Sequence, residues 1–108
     1  MFERKPPIRS TQEDIAELAE EIDRFVIHLS ERIDGIQDAE LAGCLDEVAS
    51  MTRQLSSDAE RLGYPVMAQV AKAVAMAAED GKTSAMQECV VDLTDIAQRV
   101  RRGHRGAA

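Results

Sequence analysis

Aromatic side chains are scarce in this sequence: Phe2, Phe25 and Tyr64 make up the set, and tryptophan is absent. Ala, Leu, Ile, Val and Met therefore supply the apolar mass, a composition that suits close packing of helices. Strand signals are nearly absent too, which argues against a sheet. Only two cysteines occur, Cys44 and Cys89, 45 positions apart, with neither CxxC spacing nor paired histidines nearby. That pattern excludes a disulfide framework and a cysteine-based zinc site. Both lie beside apolar helix positions and are expected to be buried free thiols. The two histidines, His28 and His104, form no E-x-x-H or H-x-x-x-H pair. No helix face then offers two metal ligands, and no metal or other cofactor is expected. Gly-rich phosphate loops are missing as well. No stretch approaches the ~18 consecutive apolar residues of a membrane span, and the N-terminus lacks the apolar run of a signal peptide. The expected location is the cytoplasm, away from any membrane.

Positive charge is in short supply. Asp and Glu number 20 against 13 Lys and Arg, a formal charge of −7. Such a field repels nucleic-acid phosphates and anionic lipid, so neither is an expected partner. Basic residues gather at the ends, in ERKPPIR and RRGHRG, where solvated tails are expected. With 108 residues and 44% hydrophobic side chains the chain can build one modest core. The expected organisation is an extended lead-in over 1–10, one domain over 11–102 and a flexible tail over 103–108.

What the sequence does have is helical periodicity. Ser10 and Glu13 have the spacing of a capping box, and Ile15, Leu18, Ile22, Phe25, Leu29 and Ile33 follow at three- and four-residue steps. Gly35 is read as the break. A second set, Leu41, Leu45, Val48, Thr52, Leu55, Ala59 and Leu62, predicts the longest helix over about Asp38 to Leu62, on the order of 37 Å. Gly63 and Pro65 then supply a C-cap and a first helical residue, which makes a tight turn. A short Ala-rich third helix carries Val66, Val70, Val74 and Ala77, with Met67 alongside, and stops at Gly81. Ser84 with Gln87 offers a further capping box for a fourth helix striped by Met86, Val90, Leu93, Ile96 and Val100. The predicted fold is all-α, an antiparallel up-down-up-down four-helix bundle. Ile27 and Met51 form a surplus apolar edge, which leaves the oligomeric state open.

Within the second helix lies RQLSSDAERLG, residues 53–63. Leu55, Ala59 and Leu62 belong to the buried stripe, which turns Arg53, Gln54, Ser57, Asp58 and Glu60 towards solvent. Arg53 and Ser57 are one turn apart on a common face. A small side chain beside a long one leaves room for a partner's surface to approach the helix.

This stretch resembles the signature of histidine-containing phosphotransfer (HPt) domains, H-x-L-K-G-x-A/S-x-x-L-G on the second helix of a four-helix bundle. The family includes the first domain of chemotaxis histidine kinases. Leu55, Ala59, Leu62 and Gly63 match the structural positions. Arg53 stands where the phosphorylated histidine would be, Ser56 replaces the lysine and Ser57 the glycine. Phosphoryl transfer needs a neutral, nucleophilic imidazole nitrogen, whereas guanidinium stays protonated and only donates. The resemblance therefore implies a non-catalytic signalling module with no active-site residues. It would dock a response-regulator receiver domain or a histidine kinase of two-component or chemotaxis signalling through Arg53, Gln54, Ser56, Ser57 and Glu60. An exposed Arg53 could serve as a permanent cation against a receiver's carboxylates.

Two other functions compete. Asp95 with Gln98, and Gln54 with Asp58, are acid and amide pairs about one turn apart, similar to those of phosphatases that act on phosphorylated response regulators. The other is a purely structural helical-bundle subunit. His28, between Ile27 and Leu29, is read as a structural residue at the edge of the stripe. His104 has no partner in sequence.

Overall fold

The structure, a computed structural model, describes residues 5–104. It contains α1 (Ala16–Leu41), α2 (Leu45–Arg61), α3 (Pro65–Glu79) and α4 (Thr83–Gly103), with no strand among the described residues. Each helix packs on two neighbours, α1 on α2, α2 on α3, α3 on α4 and α4 on α1, and the diagonal pairs do not meet. Cross-helix pairs advance in opposite chain senses. They run from Glu21–Arg61 to Arg32–Asp58 between α1 and α2, and from Asp23–His104 to Gln37–Thr94 between α1 and the α4 end. These neighbours are antiparallel, and the fold is a four-helix bundle, as the periodicity predicts. No helix among the described residues is long and apolar enough to cross a membrane.

The predicted stripes form most of the core. Ile22, Phe25, Leu29 and Ile33 of α1, Val48, Thr52, Leu55 and Ala59 of α2, and Met86, Val90, Leu93, Ile96 and Val100 of α4 are buried. On α3 the inward set is Met67, Ala68, Ala71, Val74, Ala75, Ala77 and Ala78, while Val66 is exposed rather than buried. Thr52 is a polar residue at 0% exposure, tolerated because its hydroxyl donates to the Val48 carbonyl at 2.6 Å.

All three connections use one device. The amides of Gly43, Gly63 and Gly81 bond the carbonyls of Glu40, Glu60 and Ala78. The next amides, of Cys44, Tyr64 and Lys82, reach back to Ala39, Ala59 and Ala77 at 2.8–2.9 Å. These are Schellman caps, in which the glycine takes a left-handed conformation and the following residue becomes the next N-cap. Gly43 has open space around it and φ +72, so conformation alone selects it.

Helix boundaries differ from the predicted ones. α1 passes through Gly35 and ends beyond it, so the longest helix is the first, at 26 residues, and α2 has 17. Gly35 lies at the α1–α2 contact: a Cβ on it would fall 2.8 Å from Met51 Cε, the tip of a flexible side chain that packs against α1 at this point. The cost of an interior glycine, about 1 kcal/mol relative to alanine, does not break a helix whose stripe continues through Ile36 and Ala39. Neither predicted capping box forms. The N-caps are Ile15 and Lys82, without side-chain caps. Ser10 instead closes a turn: its hydroxyl accepts the Gln12 amide at 2.9 Å and donates to the Leu62 carbonyl at 2.5 Å.

The basic ends are not solvated tails where they are described. The Ile8 amide donates to the Arg99 carbonyl at 3.0 Å, and the Arg99 and Arg102 guanidiniums donate to the carbonyls of Pro6 and Lys5. Residues 5–8 thus lie along α4, close enough that a Cβ on Gly103 would strike the Ile8 carbonyl. Residues 1–4 and 105–108, which complete the predicted lead-in and tail, are outside the described residues. Cys44 is exposed and Cys89 half-buried, not buried as expected, because Cys44 falls in the α1–α2 turn rather than inside a helix.

Candidate functional site

The exposed side of α2 is bounded by α3 on one flank and α1 on the other. Leu55 and Ala59 are fully buried and Leu62 is 2% exposed, so these three positions lock the helix onto the core. Gly63 follows at φ +89, and a Cβ there would fall 2.6 Å from Ser10 Oγ, so glycine is demanded both by conformation and by space. Pro65 begins α3.

Arg53 is not a free cation. Its Nε donates to Glu79 Oε2 of α3 at 2.6 Å, and its Nη2 donates to Oε1, a two-pronged pair between groups about half exposed. The hydrogen bonds and the charge of Glu79 push the guanidinium further up, and Arg53 holds the Glu79 carboxyl below its ordinary range. Ser56, expected on the docking face, turns to α3 instead and donates to the Ala68 carbonyl at 2.7 Å. Ser57 and Glu60 are exposed. Gln54 donates to Asp58 Oδ1 at 3.3 Å, and Asp58 in turn accepts Arg32 of α1 at 2.9 Å. Of the five predicted docking residues, Arg53, Gln54, Ser57 and Glu60 share the solvent side and Ser56 does not.

The α1 flank is looser. A cleft of about 260 Å³ separates α1 from α2, lined in part by Phe25, His28, Arg32, Asp58 and Arg61. Arg61 donates to Glu21 at 2.5 Å, and the Arg32 guanidinium lies 5.7 Å over the Phe25 ring. His28 is exposed rather than part of the core edge, with Nδ1 3.6 Å from Glu31. The other histidine has a partner that the sequence did not suggest: His104 Nε2 lies 2.8 Å from Asp23 and the side chain is largely covered. Beside it a smaller cavity of about 110 Å³ is lined by Glu13, Asp23 and Tyr64. Burial first, then those two carboxylates, pushes the Tyr64 phenol up to about 12.

Chemically, the α2 face carries hydrogen-bond donors, a small residue and carboxylates, and no imidazole. Asp95, the acid of the other acid and amide pair, faces Lys5 at 3.7 Å and Arg99 at 3.8 Å, and Gln98 is exposed. Among the described residues no three His, Cys, Asp or Glu side chains converge as a metal-binding group. Sequence reasoning missed Glu79, which is 26 positions from Arg53 and becomes its neighbour only when α3 folds back on α2. Comparison with protein-family models, curated proteins and solved structures finds no match.

Proposed function

We propose that the chain is a non-catalytic docking module of the HPt kind, which engages a receiver domain or histidine kinase of two-component or chemotaxis signalling through the exposed side of α2. The observation that carries this reading is the pairing of a locked inner face with an open outer one. Leu55, Ala59 and Leu62 are buried, while Arg53 and Ser57 stand on the solvent side one turn apart. Glu79 changes how the face works. A guanidinium already bridged to a carboxylate acts as an oriented polar group rather than a bare cation, so recognition falls more on the small surface at Ser57 than on net charge. The phosphatase alternative is less well served, because the acid of each acid and amide pair already faces a cation, Asp58 with Arg32 and Asp95 with Lys5 and Arg99.

Titration against a panel of receiver domains and histidine kinases from the same genome tests the proposal. Ser57→Arg should abolish binding by steric block, and Arg53→Glu should weaken it by placing a carboxylate beside Glu79. The rate of phosphate loss from a phosphorylated receiver should be unchanged by the protein. Accelerated loss that disappears in Gln98→Ala or Gln54→Ala would favour the phosphatase. Absence of binding to every receiver and kinase would leave the structural-subunit reading.

A further inference from the structure

The cleft between α1 and α2 has a composition at odds with the rest of the chain. Three guanidiniums line it, Arg24 and Arg32 from α1 and Arg61 from α2, in a protein whose formal charge is −7. Like charges converge at a cost unless countercharge is at hand. Two carboxylates supply some: Asp58 accepts Arg32 and Glu21 accepts Arg61. Arg24 has no ion-pair partner among the described residues. Three fixed cations thus face two anions along the cleft.

The two ion pairs differ in how readily they yield. Arg32 and Asp58 are 28% and 25% exposed, and Arg32 also lies over Phe25, so this pair is a fixed wall. Arg61 and Glu21 are 52% and 39% exposed. A pair so open to water gains little from its own geometry, and Arg61 can exchange Glu21 for a stronger acceptor. Guanidinium forks match the paired oxygens of phosphate and carboxylate. The volume of about 260 Å³ falls below the roughly 300–1,000 Å³ of sites for drug-sized ligands, which points to a small anion.

We propose that this cleft binds a small oxyanion, the phosphate group or paired carboxylates of a small molecule, through Arg24 and Arg61, with Arg32 as the fixed cation behind them. The proposal does not rest on the docking reading, although the cleft adjoins the docking face where Gln54 donates to Asp58. Amide chemical shifts of the whole protein at low ionic strength provide the test, with inorganic phosphate, a sugar phosphate and succinate in separate titrations and sodium chloride at matched ionic strength as the control. Saturable shifts are expected at residues 21–32 and 58–62. Arg24→Gln and Arg61→Gln should each weaken binding about tenfold, the loss of one charge-assisted contact. Glu21→Gln should tighten it by releasing Arg61. Tighter binding of the two phosphates than of succinate assigns a phosphoryl ligand, and the reverse assigns a dicarboxylate. Shifts reproduced by sodium chloride, shifts that never saturate, or variants that all titrate like the wild type would overturn the proposal.

Discussion

The two flanks of α2 are built from different materials. Towards α3 the neighbour is a helix of alanines, with Ala68, Ala71, Ala75 and Ala78 buried, and the backbones come close enough for a serine hydroxyl on one helix to reach a carbonyl on the other. Towards α1 the neighbours are Phe25 and two arginines, Arg24 and Arg32, and a cleft remains. Small side chains let helices approach until polar groups satisfy one another, whereas large ones hold the axes apart and leave their charged ends facing water. The signature-like stretch sits between these regimes, so one of its edges is closed and the other open.

The largest effect should come from the open flank. Phe25 is 7% exposed and stacks on Tyr64 with ring centroids 5.7 Å apart. Phe25→Ala should cost about 3–5 kcal/mol in urea unfolding, because no alanine-rich neighbour is there to collapse into the space. Replacing Ala71 by glycine on the closed flank should cost much less.

Tyr64 joins the flanks and carries a pH signature. Burial pushes its phenol up to about 12 in the fold, against about 10 in an unfolded chain. A folded value above the unfolded one means that stability is intact below about pH 10 and falls as pH rises towards 12. Two units correspond to about 2–3 kcal/mol. Denaturation at pH 8 and pH 11.5 should show this loss, and Tyr64→Phe should remove its share.

Smaller effects separate the two polar contacts of the closed flank. Ser56→Ala removes an interhelical hydrogen bond to the Ala68 carbonyl, which keeps its partner within α3, and should cost about 1 kcal/mol. Arg53→Ala removes an exposed ion pair and should leave the denaturation midpoint unchanged within error. If Arg53 proved the more costly of the two, the surface on which docking is proposed would instead be part of the fold's support.

The buried stripes were legible because burial leaves a period in the sequence; the sets on α1, α2 and α4 are those predicted except at the helix ends, where Ile15 and Leu41 are exposed. The α1 boundary was not, because a glycine can end a helix or admit a neighbour, and Gly35 and Gly43 look alike until Met51 is seen against the first. A signal was present: Gly43 is followed within a few residues by Asp46 and Glu47, an acidic first turn. The exposed positions of Arg53, Gln54, Ser57 and Glu60 followed from the helical period. Their partners did not, since Glu79 and Glu21 lie 26 and 40 positions from the arginines they meet. Ser56 was misassigned because one residue's rotation about the helix axis decides between solvent and α3.

Mapping a bound receiver domain by amide chemical shifts tests the docking reading most directly. A contiguous footprint is expected on the solvent side of α2 around Arg53, Ser57 and Glu60, with binding abolished in Ser57→Arg and the bundle intact. A footprint on another face, or undiminished binding by Ser57→Arg, would contradict it.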